Sequence, residues 1–392
     1  MTVTEAPLFL KREALRQFFN QGIKPVDGRQ PIPEELAQDM VQELIEFDVP
    51  KDALIGVVDS FMILTLVLQE HGFTNLVLLE NTHKNLTPLQ ETYYNTIEGA
   101  CKKIGVKYYV PPMNNYSRCD MKFNVVIANP PYLKNLHLEF LANSLKISDI
   151  VFLIHPSGWL FRNSTKIENN VKKMLKGRIK KLTIFNGNTT FFGTEFACPL
   201  VKTFAVKEYN GPIEVHSEIT GNTYNINDLS EFPTGYWEPT EIHLQLVKLF
   251  EELCIKTSVQ SLVGIKSNSH FLGCPRVVGH GKVMDSNKYA HNDFHVFHYR
   301  NSDVFNANQG DKVFNVSSKK EVEYLKSYLE TKFARFGLSI CKISQDLYIS
   351  RYLLNVPLPP LNREWDDDSI CDYYGLTAEQ TDYIKLFIPT YY

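Results

Sequence analysis

Apolar stretches of two lengths alternate along the first half of the chain. Short, mainly apolar runs occur at residues 53–59, 76–80, 107–110, 124–128 and 150–155. Longer segments with apolar residues at helical spacing lie between or before them, at residues 33–47, 61–71, 88–104 and 136–146. Short apolar runs separated by amphipathic helices are typical of βαβ units, whose parallel strands are covered by helices on both faces. The pattern therefore predicts an α/β fold.

The pattern changes in the second half of the chain. Two further strands are predicted over residues 178–185 and 200–207. Beyond about residue 210 the chain carries short β-like pieces rich in Asn, Gly and Tyr, with helices near residues 240–252 and 319–336. We therefore place a first domain at residues 1–210 and an α+β second domain at residues 211–392.

The strand at residues 124–128 leads directly into Asn129-Pro130-Pro131-Tyr132. Ligands of α/β sheets bind at the carboxyl ends of the strands. The side-chain oxygen of Asn129 and the carbonyl oxygen of Pro130 can both accept hydrogen bonds from a planar amine, which directs the nitrogen lone pair at an electrophile. The prolines stiffen the turn, and the Tyr132 ring can stack on a planar substrate. The turn predicts chemistry on a planar amine, provided that a cavity lies beside the two oxygens.

Residues 122–132 (KFNVVIANPPY) closely resemble the strand and turn of the N6-adenine-specific DNA methyltransferases of restriction–modification systems. The similarity covers residues 120–207 and 330–390, whereas residues 213–330 match poorly, as suits a region that varies with the DNA sequence read. The resemblance implies a Rossmann-like methyltransferase sheet with helices on both faces, and a C-terminal α+β target-recognition domain. It implies S-adenosylmethionine as methyl donor and a catalytic role for Asn129, Pro130, Pro131 and Tyr132. Double-stranded DNA is the implied partner, alongside a restriction-system, phage or host protein.

The same resemblance implies a donor site built from Asp59, Glu80 and Pro33. Asp59 ends the first strand, and Glu80 ends the second strand, where the family has an acid for the ribose hydroxyls. Pro33 lies in residues 31–40, which partly match the family's donor-contacting lead-in.

The family's glycine-rich turn is missing from this chain. Phe61, Met62 and Ile63 follow the first strand instead, and the bulk of Met62 and Ile63 would crowd a donor lying against the turn. Two interpretations stay open: altered contacts retain the donor, or the chain is a catalytically silent relative that no longer binds it.

Two features could face a nucleic acid. Methylation inside a duplex requires the base to be flipped out and stacked, and Phe191 or Phe192 could supply the second stacking face, although either could equally pack in the core. Residues 166–181 carry seven basic side chains against the single acid Glu168. This run could contact phosphates, or it could be a solvated helix face.

Composition adds limits to this interpretation. The formal net charge of −3 gives no support for a nucleic-acid partner. Seven scattered cysteines without a CxxC pair indicate reduced thiols, and no metal site is expected. No window approaches the roughly 18 apolar residues of a membrane span, and residues 1–13 lack a signal-peptide core. We expect a cytoplasmic protein without membrane contact.

These observations predict a DNA adenine N6-methyltransferase. The first alternative is a catalytically inactive methylase-like protein that binds DNA or counters restriction without a donor. The second is methylation of a protein glutamine amide, another planar group that this turn can hold, although the long segment after the turn argues against it.

Overall fold

The structure is a computed structural model, and the residues that it describes are 31–59, 61–80, 87–110, 121–132, 135–161, 165–187, 191, 199–218, 221–235, 239–263, 276–280, 295–299, 312–341 and 350–388. The chain divides into two compact units, Met1–Phe232 and Pro233–Tyr392.

The first unit alternates strands and helices over most of its length. Its helices are α1 (Glu34–Glu46), α2 (Ile63–Glu70), α3 (Pro88–Ile104), α4 (Leu136–Ile147) and α5 (Lys166–Leu175). Its strands are β1 (Ile55–Val58), β2 (Leu76–Leu79), β3 (Lys107–Tyr109), β4 (Phe123–Ala128), β5 (Ser148–Pro156), β6 (Ile179–Phe185), β7 (Leu200–Val206), β8 (Ile213–Ser217) and β9 (Thr223–Ile226).

The nine strands described in this unit form one sheet in the order β3-β2-β1-β4-β5-β7-β6-β8-β9. The pairs from β3 to β5 are all parallel. Strand β7 then enters between β5 and β6 and is antiparallel to both. The order reverses between β1 and β4, which is the switch point where doubly wound sheets bind ligands. This topology confirms the Rossmann-like sheet expected from the sequence.

Side-chain alternation along the strands builds two helical layers. Ile55 and Val57 of β1 and Val125 and Ile127 of β4 face a hydrophobic core that also contains buried residues of α1, α2 and α3. Helix α4 packs against β5 and against α5. The sheet is therefore covered by helices on both faces, as the alternating pattern predicts.

Local capping explains where several helices begin. In α3, Thr87 and Gln90 form a reciprocal capping box, and Gly105 ends the helix in the left-handed conformation. In α5, Thr165 and Glu168 form the same kind of box. Glu168 is therefore a helix-capping residue as well as the one acid in the basic run.

The first unit extends beyond the boundary at residue 210 that composition suggested. Strand β8 pairs in parallel with β6, and β9 pairs antiparallel with β8, so both complete the first sheet. Strands β8 and β9 are short and polar, as the segments of the second unit are, but their backbone hydrogen bonds are made within the sheet of the first unit.

The second unit combines helices with a small antiparallel sheet, which agrees with the α+β class expected for it. Its helices are α6 (Glu241–Cys254), α7 (Lys319–Glu330), α8 (Lys332–Ser339), α9 (Asp367–Tyr373) and α10 (Ala378–Phe387). Its strands are β10 (Arg276–His280), β11 (His295–Tyr299) and β12 (Lys312–Asn315), with β10 in the centre. In its core the Phe250 ring packs at a tilt against the rings of Phe333 and Phe336, with centroids 4.6 and 5.2 Å away.

Within the ranges given above, no helix is both long enough and apolar enough to cross a bilayer. The cysteines described there, Cys101, Cys254, Cys341 and Cys371, are free thiols.

Candidate functional site

The switch point brings the ends of β1 and β4 together. Asn129 follows β4, and its backbone N–H donates to the carbonyl oxygen of Val58 at 2.9 Å. Asp59 follows Val58 directly. Asn124, at the other end of β4, accepts a hydrogen bond from the N–H of Leu54 at 2.8 Å, which holds the same two strands in register. The predicted amine-binding residue and the predicted donor-binding acid are therefore adjacent.

The Asn129-Pro130-Pro131-Tyr132 turn is closed on itself. Asn129 is fully buried, with 0% of its surface exposed, and both prolines are buried. The Tyr132 hydroxyl donates to Asn129 Oδ1 at 2.7 Å. Burial raises the pKa of Tyr132, so the phenol stays protonated and remains a donor. The Tyr132 hydroxyl thus uses one lone pair of Asn129 Oδ1, the oxygen that the sequence predicts to bind the substrate amine.

The Tyr132 ring is half-buried and packs against the hydrophobic core rather than standing clear of the turn. An amide oxygen has two lone pairs, so the hydroxyl does not exhaust Asn129 as an acceptor. A planar amine that uses the lone pair taken by Tyr132 must first displace the hydroxyl. Residues 133–134, which follow the turn, lie outside the described ranges.

The turn between β1 and α2 has the backbone of a glycine turn without its glycines. Phe61 and Met62 have φ angles of +68° and +59°. Side chains in this left-handed region cost about 1–2 kcal/mol per residue. Both side chains are buried in the core, with 3% and 1% of their surfaces exposed. A Phe-Met sequence carries no sign of positive φ, so only the structure could show this conformation.

The polar groups of this turn are bound within the chain. Asp59 Oδ2 accepts from the backbone N–H of Thr65 at 3.0 Å and so caps the first turn of α2. The backbone N–H of Phe61 donates to the Tyr93 hydroxyl of α3 at 3.2 Å. The sequence indicated Met62 and Ile63 as the residues that crowd this turn, whereas the residue bound to its amide is Tyr93. Tyr93 was not predicted, because it comes from a helix far along the chain.

The acids at the ends of β1 and β2 lie around one thiol. Cys101 of α3 is buried, and its pKa is raised to about 12 by burial and by the nearby charges of Asp59 and Glu80. Glu80 is itself buried, and its backbone N–H donates to the carbonyl oxygen of Tyr109 at 3.0 Å. Strands β1 and β2 pair in parallel, so Asp59 and Glu80 follow neighbouring strand ends, and the charges of both disfavour ionisation of the nearby Cys101 thiol.

Two other predicted site residues, Pro33 and Phe191, make contacts within the first unit. The carbonyl oxygen of Pro33 accepts from the N–H of Ala37 at 3.0 Å and starts α1. Phe191 is buried in the core of the first unit, and its backbone N–H donates to the Gly187 carbonyl at 2.8 Å. Core packing was the alternative role weighed for Phe191. Phe192 lies outside the described residues.

A buried histidine cluster at the end of β5 was missed by sequence reasoning. His155 stacks on Trp159, with ring centroids 5.5 Å apart, and its Nε2 lies 2.8 Å from Thr203 Oγ1. His137 of α4 lies 5.8 Å from His155 between centroids. Burial lowers the pKa of His137 to about 4 and that of His155 well below its usual value, so both rings are neutral near pH 7. His137 and His155 are far apart in the sequence and belong to no motif, so the sequence could not predict that their rings meet.

The basic run at residues 166–181 is largely engaged within the fold. Lys172 donates to the Leu160 carbonyl at 2.9 Å, and Arg178 to the Leu145 carbonyl at 3.2 Å. Lys180 lies 4.2 Å above the Phe47 ring, and Lys181 lies 3.4 Å from Glu43 Oε2. The exposed members are Lys166, Lys173 and Lys176. The run is therefore not one continuous phosphate-binding surface.

Within the described ranges, no group of three or more His, Cys, Asp or Glu side chains is arranged to hold a metal ion.

Sequence comparison finds no matching family model and no matching curated protein. Structural comparison finds a type I restriction–modification methyltransferase subunit from Streptococcus thermophilus at 17% identity, covering 51% of this chain and 50% of that one, with a TM-score of 0.39. It also finds a candidate RNA methyltransferase from Pyrococcus horikoshii at 14% identity, covering 50% and 98% of the two chains, with a TM-score of 0.34.

A candidate class I S-adenosylmethionine-dependent methyltransferase from Listeria monocytogenes matches at 12% identity, covering 56% and 74% of the two chains, with a TM-score of 0.39. The chain spans about half the length of the Streptococcus thermophilus subunit. Identities and TM-scores this low do not carry an activity over to this chain. The structures similar to it nevertheless include restriction–modification methyltransferase subunits and class I methyltransferases.

Proposed function

We propose that the chain is an amino-methyltransferase that acts on the exocyclic amine of a flipped adenine in duplex DNA. The observation that supports this most directly is the Asn129-Pro130-Pro131-Tyr132 turn at the switch point of the sheet, one hydrogen bond from the end of β1. A turn rich in acceptors and poor in competing N–H donors suits a planar amine, because the prolines have no N–H of their own.

In the proposed mechanism the turn holds the amine and directs its lone pair. Asn129 Oδ1 and the Pro130 carbonyl accept the two N–H groups, and Tyr132 leaves Asn129 and stacks its ring on the base. A buried, oriented acceptor pair lowers the barrier mainly by positioning. The amine loses its surplus proton after methyl transfer, so no general base is assigned.

S-Adenosylmethionine would supply an electrophilic methyl group, and the residues near β1 and β2 fit it in part. Glu80, buried at the end of β2, fits the ribose hydroxyls, and Asp59 lies beside it at the end of β1. The β1–α2 turn fits a donor less well, because the Phe61 N–H already donates to the Tyr93 hydroxyl and the rings of these two residues pack together. Pro33 remains a proposed lead-in contact.

The proposed partner is double-stranded DNA, which the second unit would read as a target-recognition domain. Base flipping costs a few kcal/mol of stacking and pairing energy, which contacts to the turn must offset. A restriction-system, phage or host protein is a further proposed partner.

The decisive experiment measures transfer of a labelled methyl group from S-adenosylmethionine into duplex DNA. We expect the Asn129→Ala variant to lose at least about 100-fold in kcat while it still binds DNA, since one positioned group commonly contributes that much. The matched control is Asn170→Ala, which removes an exposed amide from α5. Undiminished transfer by Asn129→Ala would rule out the role assigned to Asn129.

A second candidate is a methylase-like protein that binds DNA without a donor. The specific observation in its favour is that the Phe61 amide and the Asn129 oxygen both have partners from within the chain. Calorimetry with S-adenosylmethionine separates the two candidates. Binding in the micromolar range supports the enzyme, and absence of binding at millimolar donor supports the donor-free protein.

A further inference from the structure

A backbone N–H group of the β1–α2 turn, that of Phe61, is hydrogen-bonded to the side-chain hydroxyl of Tyr93. The N–H of Phe61 donates to Tyr93 Oη at 3.2 Å, and the N–H of Thr65, in the first turn of α2, donates to Asp59 Oδ2 at 3.0 Å. Unbound backbone N–H groups at the start of a helix are what attract an anionic ligand such as a carboxylate. Here two of these groups already have partners from within the chain.

Aromatic packing reinforces the hydrogen bond. The rings of Phe61 and Tyr93 meet edge to face, with centroids 5.3 Å apart and planes at 61°. Tyr93 in turn meets Tyr94 at 5.0 Å and 74°. Phe61, Tyr93 and Tyr94 are all buried, so helix α3 seals this side of the turn with its own aromatic side chains.

The backbone of the turn nevertheless keeps a left-handed shape that these residues disfavour. Phe61 and Met62 both have positive φ, although neither is glycine, asparagine or aspartate. Strain of this kind persists only where the surrounding structure enforces it. The hydrogen bond to Tyr93 is one such constraint, because it fixes the N–H of Phe61 itself.

We propose that Tyr93 and Phe61 determine donor affinity by closing the β1–α2 turn. In the closed state the Phe61 N–H donates its hydrogen bond to the Tyr93 hydroxyl. The amino-acid carboxylate of a donor can accept that hydrogen bond only when the Tyr93 hydroxyl has moved away. The proposal rests on the proposed function, since it concerns the donor of that reaction. It makes Tyr93 a residue that limits the affinity for the donor, without a catalytic role.

The first test removes only the hydroxyl. Tyr93→Phe keeps the ring packing and releases the Phe61 amide, and calorimetry measures its affinity for S-adenosylhomocysteine, the unreactive product form of the donor. We expect an affinity between about twofold and tenfold higher than that of the wild type, which is the range one neutral hydrogen bond supplies. The matched control is Tyr94→Phe, which removes the adjacent phenol of the same helix and should leave the affinity unchanged.

Amide hydrogen exchange gives a second readout that does not depend on activity. The Phe61 amide should exchange faster in Tyr93→Phe than in the wild type, and added S-adenosylhomocysteine should slow it again. Unchanged exchange at Phe61 would contradict the hydrogen bond on which the proposal depends.

The second test removes the ring that packs against the turn. Phe61→Gly suits the φ of +68° and leaves a cavity beside the amide, so the variant should melt at a lower temperature than the wild type. S-Adenosylhomocysteine should raise its Tm by more than it raises that of the wild type, because a ligand stabilises the folded state that binds it. The cavity control is Phe73→Ala, which truncates another buried phenylalanine of the same core. S-Adenosylhomocysteine should raise the Tm of this variant by no more than it raises that of the wild type.

The outcomes separate this proposal from the proposed function. If the wild type binds S-adenosylhomocysteine and Tyr93→Phe binds it equally well, closure by Tyr93 is wrong and the enzyme stands. If neither the wild type nor Tyr93→Phe nor Phe61→Gly binds at millimolar ligand while each still binds DNA, both the closure and the donor-dependent enzyme are wrong. Tighter binding by Tyr93→Phe alone supports the closure.

Discussion

Among the single side chains, Tyr132 both packs its ring in the fold and donates a hydrogen bond to the candidate amine-binding oxygen. Its ring packs against the core, and its hydroxyl donates to Asn129 Oδ1 at 2.7 Å. Because burial raises the pKa of Tyr132, the hydroxyl is a permanent donor over the ordinary pH range. In the proposed reaction the phenol therefore competes with the substrate amine for the same oxygen.

This competition predicts the effect of Tyr132→Phe. The variant keeps the stacking ring and frees the Asn129 oxygen, so we expect KM for DNA to fall by about twofold to tenfold with kcat largely retained. Tyr132→Ala also loses the stacking ring, worth about 1–3 kcal/mol per base, and should bind the flipped base more weakly. Steady-state methyl transfer measures both variants, and a rise in KM for Tyr132→Phe would show that the hydroxyl helps to bind substrate.

Among the helices and strands, α1 is joined to the sheet by ion pairs around the buried ammonium of Lys202. Lys202 of β7 has 3% of its surface exposed, and its ammonium lies 3.0 Å from Glu43 Oε1 and 3.3 Å from Glu218 Oε1. Asp39 of α1 is a third carboxylate partner. Burial opposes the charge, yet the carboxylates of Glu43, Asp39 and Glu218 together keep the pKa of Lys202 above its usual range. Helix α1 carries Pro33 at its start, so this cluster also positions the proposed lead-in.

Loss of the ammonium should be costly, because Glu43 is buried and would keep Lys181, 3.4 Å from its Oε2, as a positive partner without Lys202 at its other oxygen. Asp39 and Glu218 are about half exposed and can be solvated, so we expect Lys202→Met to lower the free energy of unfolding by about 1–3 kcal/mol. Lys207→Met is the control, since Lys207 pairs with Asp149 on the surface at 3.5 Å, and an exposed pair contributes at most about 1 kcal/mol. Urea denaturation compares the two variants, and equal losses would mean that the buried cluster contributes no more than a surface pair.

Across the chain, neutral buried histidines occur in both compact units. His137 and His155 lie in the first unit, and His243 lies in the second, where its Nδ1 is 2.9 Å from the Tyr383 hydroxyl. Burial lowers the pKa of His243 to about 3 and that of His137 to about 4. Each ring must therefore be neutral for the native packing to form.

Stability should accordingly fall on mild acidification. A histidine with a lowered native pKa takes up its proton first in the unfolded chain, so its contribution is complete above pH 6.5 and is lost as the pH falls toward 4. Each such residue contributes a slope of up to about 1.4 kcal/mol per pH unit. Urea unfolding of the wild type and of His137→Phe, at pH 7 and pH 5, should show a shallower pH dependence in the variant.

The control for this measurement is Leu138→Ala, which replaces a buried residue without an ionisable group, next to His137 in α4. It should lower the stability and keep the wild-type pH dependence. An equal slope for the wild type and His137→Phe would show that protonation of His137 is not coupled to unfolding.

Local pattern was enough to predict strands β1 to β7, most of the helices and the position of the candidate turn. The run at residues 124–128 is β4 (Phe123–Ala128), and the helical spacing at residues 33–47 is α1 (Glu34–Glu46). Such elements follow from the periodicity of burial, which neighbouring residues encode among themselves. The same local information placed Asn129 and Asp59 at strand ends, and the parallel sheet then made them adjacent.

Contacts between distant segments decided the rest. Nothing near Phe61 in the chain indicates that Tyr93 binds its amide, or that Phe61 and Met62 adopt positive φ. The insertion of β7 between β5 and β6, and the pairing of β8 with the first sheet, likewise depend on partners far away in sequence. Hydrogen bonds and burial between remote residues form only once the chain has packed, so they leave no periodic trace in the order of amino acids.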